Sequence, residues 1–305
     1  LGAWDQPYWT MKPEYEAQTL EVFARFVEAG LVYKKLKPVP WSIQNQTALA
    51  DAELEYQDVE DPSVFVEFPA VDSYNLYKLF GVDPIRSEIH FLVWTTTPWT
   101  LPANLAIAVH PEVTYALVKY VRDGKTRYAV AAEDLFKIFT RPNVADAVIL
   151  GKTSGKTLVE SGCAYKHPFV NRVGKILPAL YVTTTDGTGL VHTAPGHGED
   201  DYITGLANKL DVYCPVQANG RFDATAPEFI QGKTVWEANP LVIDCLKQLD
   251  VLFDCVKITH SYPHDWRSKK PVIQRATEQW FISVDRDYTV NGTTGAIRQR
   301  ALKIV

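Results

Sequence analysis

The sequence predicts a mainly β protein with peripheral helices (α+β): a β-barrel carried between two short flanking segments. Three observations lead there. Between residues 57 and 256, short runs rich in β-branched and aromatic residues follow one another, among them "SVFVEF", "IHFLVWT", "TYALVKY", "RYAVA", "ALYVTT" and "GLVHT". Pairs such as Asp123-Gly124 and Asp186-Gly187 separate several of these runs, as tight turns between strands do. No parallel strand–helix–strand rhythm runs through the region, which favours a sheet closed on itself. The stretches 1–56 and 257–305 differ in texture from this middle, so the chain divides into an N-terminal flank, a barrel at 57–256 and a C-terminal flank.

The elements follow in order. Pro13 suits a first helical turn, Leu20, Phe23, Phe26 and Val27 recur at helical spacing, and Gly30 is a natural stop. "KPVPW" is then extended, because each proline fixes its own φ and biases its predecessor toward β. Within the barrel, helices are expected near "YNLYKLF", "AEDLFKIF", "DDYITGLANKL" and "ANPLVIDCLKQL". After residue 257 the chain becomes polar and aromatic, and "VIQRATEQWFISV" reads as a strand pair.

Bulk properties narrow the function. Of 305 residues, 46% are hydrophobic and 22% charged, ordinary for a globular chain. No apolar run approaches the roughly 18 residues that span a membrane, so no membrane partner is expected. A net charge of −5 disfavours broad, non-specific attraction to nucleic acid. Basic residues do gather at Lys34, Lys35 and Lys37 and at Arg267, Lys269 and Lys270, for which a solvated face is the simpler reading. The four cysteines, Cys163, Cys214, Cys245 and Cys255, show no Cys-x-x-Cys spacing and read as free thiols of a reducing, cytoplasmic compartment. The chain starts without Met, as an excised piece of a longer protein would.

"GKTSGKT" at 151–157 imitates a phosphate-binding loop but has three residues between its glycines where four are needed; a β-turn is expected. His260 and His264 lack nearby ligands to complete a metal cluster and read as structural histidines. Two segments are denser. "LVWTTTPWTLPAN" ends an apolar strand in Thr95, Thr96 and Thr97. "TTTDGTGLVHTAPGHGEDDY" carries His192 on a short strand, breaks at "PGHG", and opens a helix with Glu199, Asp200 and Asp201, where carboxylates favour the helix dipole. Taken singly, these are a core histidine and helix-start acids. Together they are two strand ends that line one pocket with hydroxyls, an imidazole and a carboxylate, and with no nucleophile elbow.

"WTTTPWTLPAN" and "DGTGLVHTAPGHGEDDY" resemble the two signature segments of the editing domain of isoleucyl-tRNA synthetases. "YWTM…KPVPW…ALADAELEY" and "HSYPHDWRSKKPVIQRATEQWF" resemble the sequence that brackets that domain, so the likeness covers the whole chain in order. Valyl and leucyl relatives carry Arg where this chain has Thr97 and lack His192. The His-Ile-Gly-His and Lys-Met-Ser-Lys-Ser type signatures of ATP-dependent activation are absent, which implies the connective insertion alone.

The resemblance implies a second sieve. A pocket cannot strongly reject a side chain one methylene smaller, and isoleucine against valine in this very family is the standard illustration. The substrate would be the valyl ester at the 3′ end of tRNA(Ile), hydrolysed without a cofactor, with the rest of the synthetase as the other partner. Asp201 would hold the ammonium, since a charge-assisted bond is strongest in a partly dry site. His192 would be the wall that excludes isoleucine. Thr95, Thr96 and Thr97 would hold ribose, ester and water without adding charge, framed by Trp99 and Asn104. A tRNA 3′-end binding module with decayed catalysis is the alternative. Some family members carry a zinc site made of one Cys-x-x-Cys in each flank. Ser42, Asn45, Asp265 and Ser268 stand at those positions, so no zinc is expected, and the two segments are expected to meet with packing from Trp41 and Trp266.

Overall fold

The computed structural model describes residue 5, residues 7–290 and residues 292–304. They fall into two compact units, Leu1–Leu36 with Thr277–Val305, and Lys37–Ala276. The first unit contains helix α1 (Pro13–Glu28), which starts on Pro13 as expected, with Glu14 and Glu16 in its first turn and Arg25 in its last. That charge order complements the helix dipole. No α1 side chain is buried: the expected apolar stripe forms, but Leu20, Phe23 and Val27 remain 68%, 41% and 50% exposed. In the same unit Tyr33 stacks on Phe281.

The second unit is the β body. Its elements are β1 (Val32–Ser42), β2 (Thr47–Ala48), β3 (Leu54–Pro69), α2 (Ser73–Leu79), β4 (Ile89–Thr95), β5 (Ala106–Val109), β6 (Thr114–Arg122), β7 (Lys125–Ala132), β8 (Val144–Ser154), α3 (Gly155–Glu160), β9 (Ala164–Lys166), β10 (Val173–Pro178), β11 (Leu190–Thr193), α4 (Glu199–Ala207), α5 (Val235–Gln248), β12 (Leu252–Asp265) and β13 (Ile273–Ile282), the first and last shared with the other unit. The main sheet runs β8-β6-β7-β4-β11-β5-β10-β9, with β3 on the other edge of β4 and β12 beyond it. Beside β9, Val71 N–H bonds Ala164 O at 2.9 Å and Ala70 bridges Tyr165. That seam brings β9 back to the end of β3 and curls the sheet into a half-barrel, where the sequence predicts a barrel.

Several expectations need correction. Three strand pairs are parallel, β4–β7, β4–β11 and β5–β10, although no parallel rhythm is visible in the chain: the partners lie far apart in sequence, where local periodicity is silent. "GKTSGKT" is not a β-turn. It ends β8 and opens α3, because the Ser154 hydroxyl accepts the Thr157 N–H at 3.1 Å and caps a helix. "AEDLFKIF" is a 3₁₀ segment, and "VIQRATEQWFISV" is one strand, β13, not a pair. The expected divisions after residues 56 and 256 both fall inside the β3–β12 ladder, which runs from Leu252↔Val66 to Asp265↔Leu54. We propose them as limits of the inserted sequence rather than of a compact body.

The larger apolar cluster of the core includes Val64, Phe68, Phe91, Leu92, Leu117 and Phe253. Beside it lies a charge cluster. Glu67, with no exposed surface, accepts from Arg122 at 3.0 Å, Arg127 at 2.7 Å and the Tyr120 hydroxyl, and both arginines also reach Asp250. A buried carboxylate is tolerable only when paired in this way.

The two bracketing segments do meet. Asp265 Oδ2 accepts from Ser42 Oγ (2.6 Å), Asn45 Nδ2 (2.7 Å) and Ser268 Oγ (2.8 Å), while Oδ1 accepts the Arg267 N–H (2.9 Å). Burial pushes this carboxyl up, but the Ser42, Arg267 and Ser268 donors outweigh it and hold the carboxyl down at about 2. Trp41 is buried, its indole N–H on Ala218 O; Trp266 is instead 42% exposed under Arg267. Asp265→Ala would strand the buried Ser42 hydroxyl and remove the acceptor shared by Asn45 and Ser268 nearer the surface. We predict a loss of about 2 kcal/mol at neutral pH by urea unfolding. Because the folded pKa lies below the unfolded one, this contribution is present above about pH 4 and is lost as pH falls toward 2. A loss under about 0.5 kcal/mol, the range of neutral surface changes, would show that the knot holds nothing.

Candidate active site

The two dense segments lie side by side. Strands β4 and β11 pair in parallel with Val191 opposite Trp94, so both reach their C-terminal ends together and His192 runs alongside Thr95. Parallel neighbours present their carboxyl ends at one edge, where irregular loops can build a site. Beyond Thr95 the chain bends into a 3₁₀ turn, Pro98–Ala103, buried throughout. Beyond Thr193 it runs through "APGHG" into α4.

The hydroxyls form a chain. Thr95 Oγ1 lies 3.3 Å from Thr97 Oγ1 and also accepts the Thr97 N–H at 3.1 Å. Thr97 Oγ1 is 3.2 Å from Thr100 Oγ1, which donates to Thr97 O at 2.8 Å and lies 2.9 Å from His192 Nε2. A hydroxyl has one proton. With that of Thr100 on Thr97 O, Nε2 of His192 carries the hydrogen on that side and Nδ1 is left as an acceptor. Nδ1 is buried with no partner among the described residues. Burial, with His167 and His197 adding to it, pushes His192 down to about 3, so the imidazole is neutral. Thr96 is half-buried.

Asp201 sits in the first turn of α4 and turns back on the β11 loop. Its Oδ2 accepts the Ala194 N–H at 2.9 Å and its Oδ1 the Tyr181 hydroxyl at 3.3 Å. Burial raises its carboxyl to about 6, against the opposing pull of those two donors. Glu199 and Asp200 point elsewhere: Glu199 pairs with Lys37 at 2.8 Å and Asp200 is exposed.

Thr97, Trp99 and Thr100 open on a cavity of about 270 Å³, with His197, His260 and Tyr262 among its other walls. Trp99 is buried, its backbone N–H on Asn239 Oδ1 at 3.0 Å and its ring edge-on to His197 at 5.0 Å. Asn104 is placed differently. It has no exposed surface, its amide donates to Ala106 O, and its oxygen accepts from Tyr165, so it shapes the turn from within. His260 bonds Asp61 at 3.0 Å and His264 bonds Tyr262 O, the structural partners expected of them.

Sequence reasoning omitted Thr100, His197 and Tyr181. Thr100 was findable: in a 3₁₀ turn residues i and i+3 eclipse, which stacks Thr100 on Thr97. His197 and Tyr181 arrive from segments whose packing no local pattern reveals. Among the described residues, no three His, Cys, Asp or Glu side chains converge as a metal site, and no helix is long and apolar enough to cross a membrane.

The family model for tRNA synthetases class I (I, L, M and V) matches residues 1–304. The chain is 45% identical over 94% of its length to the isoleucine–tRNA ligase of Petrotoga mobilis, and 44% identical over 99% to that of Aquifex aeolicus. It spans 29% and 32% of those relatives, about a third of their length. Among solved structures it resembles the editing domain of the P. knowlesi cytosolic leucyl-tRNA synthetase. There the TM-score is 0.51 at 14% identity, over 63% of this chain and 95% of that one. The P. falciparum counterpart gives 0.50 at 13%, over 64% and 99%. At such identities the likeness is one of fold. The half-barrel is thus an editing-domain fold, and the chain belongs to the class I tRNA synthetases of the isoleucine, leucine, methionine and valine group.

Proposed function

We propose that this chain is the editing hydrolase of an isoleucyl-tRNA synthetase and that it cleaves valine from the 3′ end of mischarged tRNA(Ile). One observation carries the reading: threonine hydroxyls and an uncharged histidine stand together at the carboxyl ends of β4 and β11, and the Asp201 carboxylate is bonded to the loop that leaves β11. Such a site suits a substrate whose only charge near the scissile bond is an ammonium.

In this reading Asp201 accepts the ammonium of the amino acid, adding to its Ala194 and Tyr181 contacts. The Thr96 hydroxyl, together with Thr95 and Thr97 at the strand end, holds ribose and the attacking water. His192, fixed by Thr100, is a rigid wall that admits valine and stops the extra methylene of isoleucine. No covalent intermediate is needed; the rate comes from holding water in line with the ester carbonyl and from donors that meet the oxyanion. Trp99 holds the cavity wall, and Asn104 keeps the turn that bears the threonines in shape. The rest of the synthetase, which supplies the charged tRNA, is the other partner, and the setting is cytoplasmic.

Deacylation of valyl-tRNA(Ile) by the isolated chain tests the reading directly; binding of the tRNA 3′ end without hydrolysis would replace it with the decayed binding module. Three outcomes are expected beyond that. Asp201→Ala leaves the ammonium unpaired, a loss that typically costs roughly 2–5 kcal/mol, so kcat/KM should fall at least about ten-fold; a folded variant with full activity would remove Asp201 from the site. His192→Ala should begin to hydrolyse isoleucyl-tRNA(Ile). Equal loss on both esters, with no gain on isoleucine, would mean that His192 does not set the size limit. Finally, Asp201 must be ionised to hold a cation, so kcat/KM should decline as pH falls through about 6. His192 is already neutral there and contributes no inflection. A rate unchanged from pH 7.5 to 5 would contradict the role given to Asp201.

A further inference from the structure

The 3₁₀ turn that presents Thr97, Trp99 and Thr100 contains two prolines, Pro98 and Pro102. Neither has an N–H to donate, so the turn is poor in internal hydrogen bonds. Its last carbonyls need partners from outside, as all helix ends do. One loop supplies them. His167 Nε2 lies 2.8 Å from Leu101 O, and Arg172 Nη1 donates to Pro102 O at 3.1 Å and Asn104 O at 2.6 Å. The Tyr165 hydroxyl, at the start of the same loop, donates to the Asn104 side chain at 2.5 Å.

The loop is itself fixed. His167 N–H bonds Arg172 O at 2.9 Å and Arg172 N–H bonds Val170 O at 2.7 Å. The His167 tautomer follows from its contacts: Nδ1 accepts from the N–H groups of Phe169 and Val170, at 3.3 and 3.1 Å, so the proton is on Nε2 and points at Leu101 O. Burial depresses this histidine to about 4, which keeps the ring neutral, while the two Nδ1 contacts select the tautomer.

We propose that His167 and Arg172 are positioning residues, a clamp that sets where the threonine turn stands relative to His192 and hence the geometry of ester hydrolysis; this rests on reading the site as an ester hydrolase. Both side chains are engaged on backbone carbonyls of the turn, so their part is to place the turn, with no direct contact to substrate assigned to them. Displacing a reacting group by about 1 Å can cost on the order of 10²-fold in rate, which is the scale of effect available to such a clamp.

The test uses the full chain with valyl-tRNA(Ile). His167→Phe keeps the ring volume between Phe68 and Phe169 but loses the donor, and Arg172→Met loses both carbonyl contacts. Each should lower kcat at least about ten-fold, with KM within about two-fold. His167→Gln, whose amide reaches the same carbonyl, should recover most of the rate. Arg172→Lys is the milder variant if Arg172→Met does not fold. A second readout is independent of activity: the Nε2 resonance of His192 by ¹⁵N NMR, assigned through His192→Ala. It should move in His167→Phe and Arg172→Met as the Thr100 contact shifts, and stay in place in His167→Gln. Folded His167→Phe and Arg172→Met proteins with wild-type kcat and an unmoved His192 signal would overturn the clamp. A wild-type chain that hydrolyses no ester would overturn the hydrolase reading instead, and the His192 signal would still decide whether the clamp positions the turn.

Discussion

The site depends on one pairing, that of β11 alongside β4 in parallel with Val191 opposite Trp94. Nearly a hundred residues separate the two strands in the chain, yet this register puts Thr95 and His192 next to one another. Because side chains alternate along a strand, a slip of one residue would turn His192 away and place Val191 or Thr193 at its position. Antiparallel pairing would send the two loops to opposite edges of the sheet. The rest serves that pairing. β5 holds β11 on its other edge, with His192 opposite Ile107. β3 holds β4, and the Glu67 cluster ties β3 to β6 and β7 through Arg122 and Arg127.

Around this edge the protein keeps charge scarce. His192 and His167 are both driven neutral by burial, and the threonine hydroxyls settle their protons on one another and on a backbone carbonyl. In low-dielectric surroundings each uncompensated charge is expensive, which is why we assign the proposed ammonium to Asp201, the carboxylate bonded to the β11 loop. Hydroxyls suit the remaining task, because each accepts and donates without a net charge of its own.

Much of this was legible in the chain. The two signature segments announced two strand ends, which the structure sets side by side, the apolar runs announced the sheet, and Glu199–Asp201 announced the start of α4. What local pattern could not reveal was long-range. The parallel partners of β4 and β5 lie in distant sequence. The Tyr165–Arg172 loop carries no motif, and its hold on Leu101, Pro102 and Asn104 exists only once β9 has been folded back to the end of β3. Asn104 and Thr100 show the same limit at short range. Both belong to the quoted segment, but only the path of the 3₁₀ turn decides that Thr100 meets His192 while Asn104 is sealed inside.

Asp201 has a thermodynamic side as well. Its carboxyl titrates near 6 in the folded chain and near 3.9 in an unfolded one. Between those values the native state holds a proton that the denatured ensemble has released, so the Asp201 contribution to folding is most favourable in acid and is lost as pH rises through 6. At neutrality the domain folds in spite of this residue. Relief would come from whatever cation enters beside it, which makes an ammonium-bearing ligand a stabiliser of the native state by mass action. If Asp201 receives the ammonium as proposed, ligand binding and the stability of the α4 start and the β11 loop that it joins are linked.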